Sequence, residues 1–327
     1  MMRAVIGQNN QPVIVDIPEP VPSADEVLIK VHATALNRGD LLQVRGLYPP
    51  PAGAPDTLGL ELAGTVIGFG DNVQRWRVGD RVMALVAGGG YAELATVHQD
   101  HLMAIPADFS YVQASAIPEA YLTAYSNMVQ IGRLTAGERV LIHAGGSGVG
   151  LSAIQIAKAL GATVYTTASA GKHAVCLAHG ADSAIDYQTQ NFADVILDQV
   201  PEGVNLVIDF IGAKYWEDNV RVLAQWGRLV FIGLMGGMKH EVNFRQIMDK
   251  RLTISGSTLR NRTIQQKADL IASFSAWGLP LFENGVLRPN VWQVLPLEQV
   301  AEAHALMADN QNAGKIVLTI ESAHLTP

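Results

Sequence analysis

The run Gly145-Gly146-Ser147-Gly148-Val149-Gly150 has the residue types and the setting to hold a charged ligand. Apolar residues 139–144 read as a strand entering it, and residues 151–160 read as a helix leaving it, with Gly161 as the stop. Glycines at such a turn let the backbone come close to a pyrophosphate. The helix that follows aims its first N–H groups and its dipole at the same anion. Ser147 stands at the third position of the G-x-G-x-x-G pattern, where glycine is usual, so the turn alone also fits a ligand-free crossing from strand to helix. The context favours the ligand, because a second strand at 163–167 completes one βαβ unit at the spacing a dinucleotide requires.

The end of that second strand discriminates between dinucleotides. A site for NAD places Asp or Glu about 20 residues beyond the turn, where it binds the ribose 2′-hydroxyl. Here the segment reads Thr166-Thr167-Ala168-Ser169-Ala170-Gly171-Lys172-His173, without an acid. Ser169 donates a hydrogen bond and Lys172 supplies charge, a pair suited to the 2′-phosphate of NADPH. A lysine in the first turn of a helix opposes the helix dipole, which a bound anion compensates; a plain solvent-facing lysine is the other reading of Lys172.

These groups are positioned by a chain of 327 residues, long enough for two domains. Apolar residues make up 49% and Asp, Glu, Lys and Arg 16%, against about 25% charged residues in an average domain, so the chain folds by burial. The formal charge of −7 has the wrong sign for clamping a nucleic-acid backbone. The one cysteine, Cys176, rules out an intramolecular disulfide and any zinc site built on two or more thiolates. Among the apolar residues of 172–179 it reads as buried and inert, and it suits a reducing, cytoplasmic setting. No segment reads as a signal peptide, a membrane span, a linker or a repeat.

The first third reads as β-rich. Runs at 13–17, 27–33, 63–68, 81–84, 91–97 and 102–105 are separated by Pro, Gly, Asp and Asn, with a helical turn at 38–45 and an extended loop at Pro49-Pro50-Pro51. Helical periodicity takes over at 114–124 and 125–131. Beyond the βαβ unit, strands at 183–186, 204–210, 229–232 and 252–255 alternate with helices at 172–179 and 215–223. The pattern predicts an α/β fold with a Rossmann-type doubly wound parallel sheet. Helices at 263–277 and 298–308 follow, and a last strand at 315–320 is expected to return to the first domain, since chain ends often lie close together.

Several motifs extend this reading: Ala35-Leu36-Asn37-Arg38-Gly39-Asp40, Gly46-Leu47-Tyr48-Pro49-Pro50-Pro51, Leu58-Gly59-Leu60-Glu61-Leu62-Ala63-Gly64, Val78-Gly79-Asp80-Arg81-Val82, Leu122-Thr123-Ala124-Tyr125, His143 to Gly150, and Asn312-Ala313-Gly314-Lys315-Ile316-Val317. Spread over essentially the whole chain, they resemble the zinc-independent quinone oxidoreductases of the medium-chain dehydrogenase/reductase superfamily. These are the relatives of zeta-crystallin, and the damage-inducible branch is the most similar. The resemblance implies a GroES-like β-rich catalytic domain split between residues 1–118 and 260–327, around an NADPH-binding Rossmann domain at 119–259. It also implies reduction of quinones or related electron-poor alkenes, commonly by homodimers, with no nucleic-acid or membrane partner.

The zinc-containing relatives carry a catalytic Cys where this chain reads Leu36-Asn37-Arg38 and a His where it has Leu60; their structural-zinc lobe falls within residues 87–117, which hold no cysteine. His98 and His101 alone make a poor metal site. Direct hydride transfer to an activated acceptor is the chemistry so implied. Enoyl-thioester or 2-alkenal reduction is the enzyme alternative, and a non-catalytic NADPH-binding structural or regulatory role is another.

By the same resemblance Tyr48 orients or donates to the quinone oxygen, Asn37 hydrogen-bonds near the cofactor or acceptor, and Thr123 lies near the nicotinamide. Plainer readings stand beside these: Asn37 as the cap of the 38–45 turn, Tyr48 as a loop anchor, Thr123 bonded back within its helix. The implied cofactor contacts are Gly146, Ser147, Gly148, Val149 and Gly150 at the turn, with Ser169, Lys172 and Tyr187 at the adenosine phosphate. Phe231, Gly233, Met235 and Gly236 fall near the nicotinamide amide, and Asn312 and Lys315 on the far wall. Phe231 equally suits an apolar core, and Lys315 a solvated surface. Replacing Lys172 with Ala is expected to cost on the order of 1–2 kcal/mol in kcat/KM for NADPH and far less for NADH; equal losses for the two cofactors in steady-state kinetics would remove the 2′-phosphate contact.

Overall fold

Val, Ile and Leu recur at strand spacing through the first hundred residues, and Pro, Gly and Asp punctuate them, so this stretch folds as short strands. In the computed structural model, which describes residues 1–321, these are β1 (Met2–Gln8), β2 (Gln11–Ile17), β3 (Glu26–Ala35), β4 (Glu61–Phe69), β5 (Arg81–Leu85), β6 (Leu94–His98) and β7 (Leu102–Ala104). Helix α1 (Arg38–Val44) lies between β3 and β4. The helices expected over 114–124 and 125–131 are instead three pieces: α2 (Tyr111–Ser115), α3 (Pro118–Tyr125) and a π-helical turn at Ser126–Ile131. Pro118 has no N–H to continue α2 and starts a new helix instead. Asn127 then donates from its side chain to the Thr123 carbonyl at 2.8 Å, competing with the backbone for that acceptor where the spiral widens.

The middle of the chain alternates as its periodicity predicts: β8 (Arg139–Ile142), α4 (Gly148–Ala159), β9 (Thr163–Ala168), α5 (His173–Ala178), β10 (Ser183–Asp186), α6 (Phe192–Gln199), β11 (Val204–Asp209), α7 (Trp216–Val222), β12 (Leu223–Phe231), α8 (Phe244–Lys250) and β13 (Thr253–Gly256). Helices α6 and α8 were not expected. Each begins at an asparagine cap: Asn191 accepts from the Ala193 and Asp194 amides at 2.9 and 3.1 Å, and Asn243 from Arg245 at 3.0 Å. The chain closes with α9 (Ile264–Glu283), β14 (Val291–Pro296), α10 (Val300–Ala308) and β15 (Lys315–Thr319).

Two units result: Met1–Leu122 with the chain from Leu259 onward, and Thr123–Thr258. The second unit is a parallel six-stranded sheet in the order β10-β9-β8-β11-β12-β13, the doubly wound order of a Rossmann fold. In the first unit a seven-stranded sheet runs β14-β15-β3-β4-β5-β7, with β6 also on β3. The last strand does return: β15 lies antiparallel to β3, with Val317 opposite Ala35. This unit also holds an aromatic knot of Tyr121, Phe274 and Phe282, in which the Tyr121 and Phe282 rings meet edge-on at 4.8 Å. Phe274 is fully buried there. Truncating Phe274 to Ala is expected to lower the unfolding free energy by about 3–5 kcal/mol; urea denaturation checks this, and a loss under 1 kcal/mol would show that the knot re-packs.

Candidate active site

In the Thr123–Thr258 unit the glycine turn follows directly from β8. Ala144 takes a left-handed backbone, with φ 51°, a conformation a residue with a Cβ seldom adopts outside constrained sites. The Gly145 amide then donates to the Thr167 carbonyl at 2.9 Å, which fixes the turn to the end of β9. Ser147 proves to be the N-cap of α4: its hydroxyl accepts from the Gly150 amide at 3.0 Å, so the departure from glycine at this position serves the helix start. Gly148 and Val149, the first residues of that helix, carry N–H groups with no carbonyl one turn back.

A side chain at Gly145 would strike the Thr166 hydroxyl, and one at Gly146 would come within 2.6 Å of the Lys172 side chain. The lysine expected at a 2′-phosphate is therefore laid along the glycine turn. Lys172 ends a short 3-10 turn that begins at Ser169, its amide donating to the Ser169 carbonyl at 2.8 Å. Tyr187 is half-exposed beyond β10. Phe231 takes the core reading, stacked on Trp216 with ring centres 6.3 Å apart. Beyond it, the Met235 and Gly236 amides donate to the Phe210 and Ile211 carbonyls at 3.1 and 2.6 Å, which hold the 233–236 segment against the end of β11. Thr123 is not bonded back into its helix. Its hydroxyl is buried without a hydrogen-bond partner, the condition a ligand group satisfies. The turn, Lys172 with Ser169, and the orphaned Thr123 hydroxyl fit a nicotinamide dinucleotide.

The first unit gathers a second set of residues. Lys315, only 3% exposed, is no surface lysine: its ammonium donates to the Leu36 carbonyl at 2.6 Å and to Asn37 Oδ1 at 2.7 Å, and pairs with Glu61 Oε1 at 2.6 Å. The Asn37 amide closes the triangle by donating to Glu61 Oε1 at 2.9 Å, and the other Glu61 oxygen accepts from the Glu119 amide at 2.8 Å. Asn37 also caps α1, its own amide donating to Asp40 Oδ2 at 2.8 Å. Asp40 is fully buried, which pushes its carboxyl up to about 6, against the hydrogen bonds it accepts from Asn37, Tyr91 and Gly59. Asn312 lies in this unit too, donating to the Gly314 carbonyl at 2.7 Å.

Tyr48 is half-buried, and burial, with Glu119 second, pushes its phenol up to about 12. Arg260 pulls the other way. Its guanidinium lies over the Tyr48 ring, 5.0 Å from the centroid, and donates to the carbonyls of Tyr48 and Ala87 at 2.9 and 2.8 Å and to Gln43 Oε1 at 2.7 Å. These partners are neutral oxygens. Burial and then the Glu61 charge push the Glu119 carboxyl up to about 8, with Lys315 and Lys267 opposing. Sequence reasoning missed Arg260, Lys267 and Glu119, because nothing in a lone Arg or Glu marks which loop it will meet. The cap of α1 at Asn37 was legible, and the structure adds Asp40 as its partner in a capping box.

Two family models match the chain, Alcohol dehydrogenase GroES-like domain over residues 23–107 and Zinc-binding dehydrogenase over residues 148–273. Quinone oxidoreductase of Sus scrofa is 33% identical over 309 residues, which span 93% of this chain and 92% of that protein. The chain belongs to the medium-chain dehydrogenase/reductase superfamily. Within the superfamily it is of the zinc-independent, quinone-oxidoreductase-like kind. The superfamily's dehydrogenases bind NAD or NADP. Synaptic vesicle membrane protein VAT-1 homolog of Danio rerio is 30% identical over 318 residues, 93% of this chain but 66% of that longer protein. Among solved structures, JamJ enoyl reductase in its apo form superposes with a TM-score of 0.88 at 26% identity, covering 98% of this chain and 99% of that one.

The residues at the superfamily's metal position do not fit zinc. Leu60 has no donor atom, the Asn37 amide is bonded on both its oxygen and its nitrogen, and Glu61 is already paired with an ammonium. His101 bonds the Ile264 carbonyl and His98 faces Asp100; among the described residues no three His, Cys, Asp or Glu side chains gather as a metal site. Cys176 is fully buried, and burial pushes its thiol up to about 11, as the inert reading requires.

Removing the lysine head with Lys315→Met leaves Glu61 charged and unpaired, an expected loss of about 3–5 kcal/mol that Lys315→Met with Glu61→Gln partly restores; urea denaturation of both variants measures it. Glu119 gives a pH test. Its folded-state pKa stands above its ordinary value, so the folded chain keeps a proton that the unfolded chain releases, and stability falls as pH rises from about 4.5 to about 8. Glu119→Gln is expected to flatten that part of the profile, measured by denaturation between those limits.

Proposed function

We propose that the protein reduces quinones with NADPH, by hydride transfer straight to the acceptor without a metal ion. The observation that carries the reading is the Lys315 ammonium 2.6 Å from Glu61, in the place where metal-dependent relatives need open donors. The likeness to a quinone oxidoreductase over nearly the whole of both chains supports the acceptor class. When bound, NADPH supplies the hydride from its reduced nicotinamide.

The residues of the chain do the rest. Lys172 and Ser169 hold the 2′-phosphate, the amides of Gly148 and Val149 meet the pyrophosphate, and the Thr123 hydroxyl takes up a group of the nicotinamide end. Tyr48 keeps its proton at neutral pH and donates a hydrogen bond to the acceptor oxygen. The Arg260 guanidinium over that ring, with only neutral partners of its own, favours the negative charge that develops on the oxygen. Asn37, locked between Lys315 and Glu61, positions and does not titrate. An enoyl-thioester reductase is the second reading, favoured by the likeness to JamJ enoyl reductase; the same residues then face a conjugated carbonyl.

We further propose a homodimer in the cytoplasm. Among the described residues no strand lies beyond β13 in its sheet, and Phe244 and Met248 of the same unit are 71% and 72% exposed, a surface that a second copy covers. The single buried cysteine suits a reducing compartment.

The test is NADPH oxidation against a panel of quinones and a crotonyl thioester, before and after dialysis against chelator. Turnover of quinones, unchanged by the chelator and lowered about tenfold to a hundredfold by Tyr48→Phe, is expected. Tight NADPH binding with no quinone turnover would reduce the protein to a binding role, and faster turnover of the thioester would select the second reading.

A further inference from the structure

Beneath the glycine turn four side chains from different elements form one continuous row. Asp209 ends β11, Asn219 lies in α7, His143 follows β8 and Thr167 lies in β9, and none is more than 1% exposed. Asn219 Nδ2 stands 3.1 Å from Asp209 Oδ2, Asn219 Oδ1 2.7 Å from His143 Nε2, and His143 Nδ1 2.9 Å from Thr167 Oγ1. The rings of Phe192 and Tyr215 wall in the imidazole, each with its centre 4.7 Å away. At one end of the row the Thr167 carbonyl holds the Gly145 amide. At the other, Asp209 accepts from the Ile211 and Gly212 amides at 2.6 and 3.0 Å.

The chemistry of the members leaves the hydrogens no choice. An ionised carboxylate only accepts, so Asn219 must turn its NH2 toward Asp209 and its oxygen toward His143. That oxygen requires a proton on Nε2. Burial holds His143 neutral by pushing it down to about 4, so Nδ1 is bare and accepts from the Thr167 hydroxyl. Burial pushes Asp209 up to about 6, which leaves it ionised at neutral pH. One buried charge thus sets the direction of each side-chain hydrogen bond in the row from Asp209 to Thr167.

We infer that Asp209, acting through Asn219 and His143, is a positioning residue for the dinucleotide: it fixes the end of β9 against which Gly145 opens the phosphate-binding turn. The inference rests on the dinucleotide reading of that turn and adds residues that do not touch the ligand. With asparagine at 209 only one of the two positions that accept from the Ile211 and Gly212 amides keeps an oxygen, so an NH2 can face Asn219 and the direction of the row is no longer enforced.

The experiment is 15N NMR of histidine-labelled protein at pH 7, with NADPH affinity measured by its fluorescence. In the wild type His143 is expected as the neutral Nε2–H tautomer. Asp209→Asn is expected to lose that single tautomer and to weaken NADPH about tenfold, the size of one charge-assisted hydrogen bond redistributed. Thr167→Val, which keeps the β-branched shape if Asp209→Asn fails to fold, is expected to retain the Nε2–H tautomer yet weaken NADPH to a similar extent. A wild-type His143 carrying its proton on Nδ1 or on both nitrogens overturns the inference, as do variants that bind NADPH as the wild type does. Wild-type protein that binds neither NADPH nor NADH overturns the dinucleotide reading itself and is told apart by that.

Discussion

A lysine and a glutamate 2.6 Å apart, one 3% exposed and the other fully buried, are the contact on which the first unit depends. Glu61 starts β4 and Lys315 starts β15, so the pair joins segments from opposite ends of the chain. Either charge alone in that setting costs several kcal/mol, which makes the return of the last strand to β3 a condition of keeping Glu61 at all. The pair also decides the chemistry. The ammonium takes the carboxylate oxygen and the Asn37 amide oxygen that a cation of another kind would need, and it leaves a rigid, neutralised polar floor.

Around that floor the charges are disposed unevenly. Asp40 and Glu119 are buried carboxyls held toward their protonated forms, whereas Arg260 is a buried cation among neutral oxygens beside Tyr48. Desolvation disfavours the charged form of both kinds of group: it raises Asp40 to about 6 and Glu119 to about 8, so of the two acids only Glu119 keeps its proton at neutral pH, while the guanidinium, though lowered, keeps its charge. At Tyr48 the Arg260 cation opposes the Glu119 and Asp40 carboxyls, in a chain whose formal charge is −7. The second unit repeats the theme, with Lys172 laid over the glycine turn at the start of α4. Its one deeply buried anion, Asp209, is held by amides and by Asn219.

Much of the parallel sheet was legible because its signals are local. The strand, glycine turn and helix are contiguous, and β10 appears where its period places it. The elements that were missed also have local causes. Asn191 and Asn243 cap α6 and α8, which an apolar-period search passes over, and Pro118 and Asn127 set breaks that the helical period over 114–131 does not show. In the site, Lys172 and the Ser147 turn were legible, Asn37 carried both its capping role and a deeper one, and Lys315 read equally as surface or site. Arg260, Glu119 and the row from Asp209 to Thr167 had no sequence signature, since each depends on partners 10 to 217 residues away.

By itself the sequence determined the βαβ unit, the missing acid beyond β9, the absence of thiolate and imidazole at the metal position, and the motifs that place the chain in its superfamily. Those are properties of residue type and short spacing. Only the tertiary structure decided what each polar group is bonded to: that Lys315 neutralises Glu61, that Arg260 stacks on Tyr48, that Thr123 keeps an unspent hydroxyl, and that one carboxylate orders the protons beneath the glycine turn. Hydrogen-bond direction and desolvation depend on which groups are enclosed together, and enclosure is set by the packing of segments far apart in the chain.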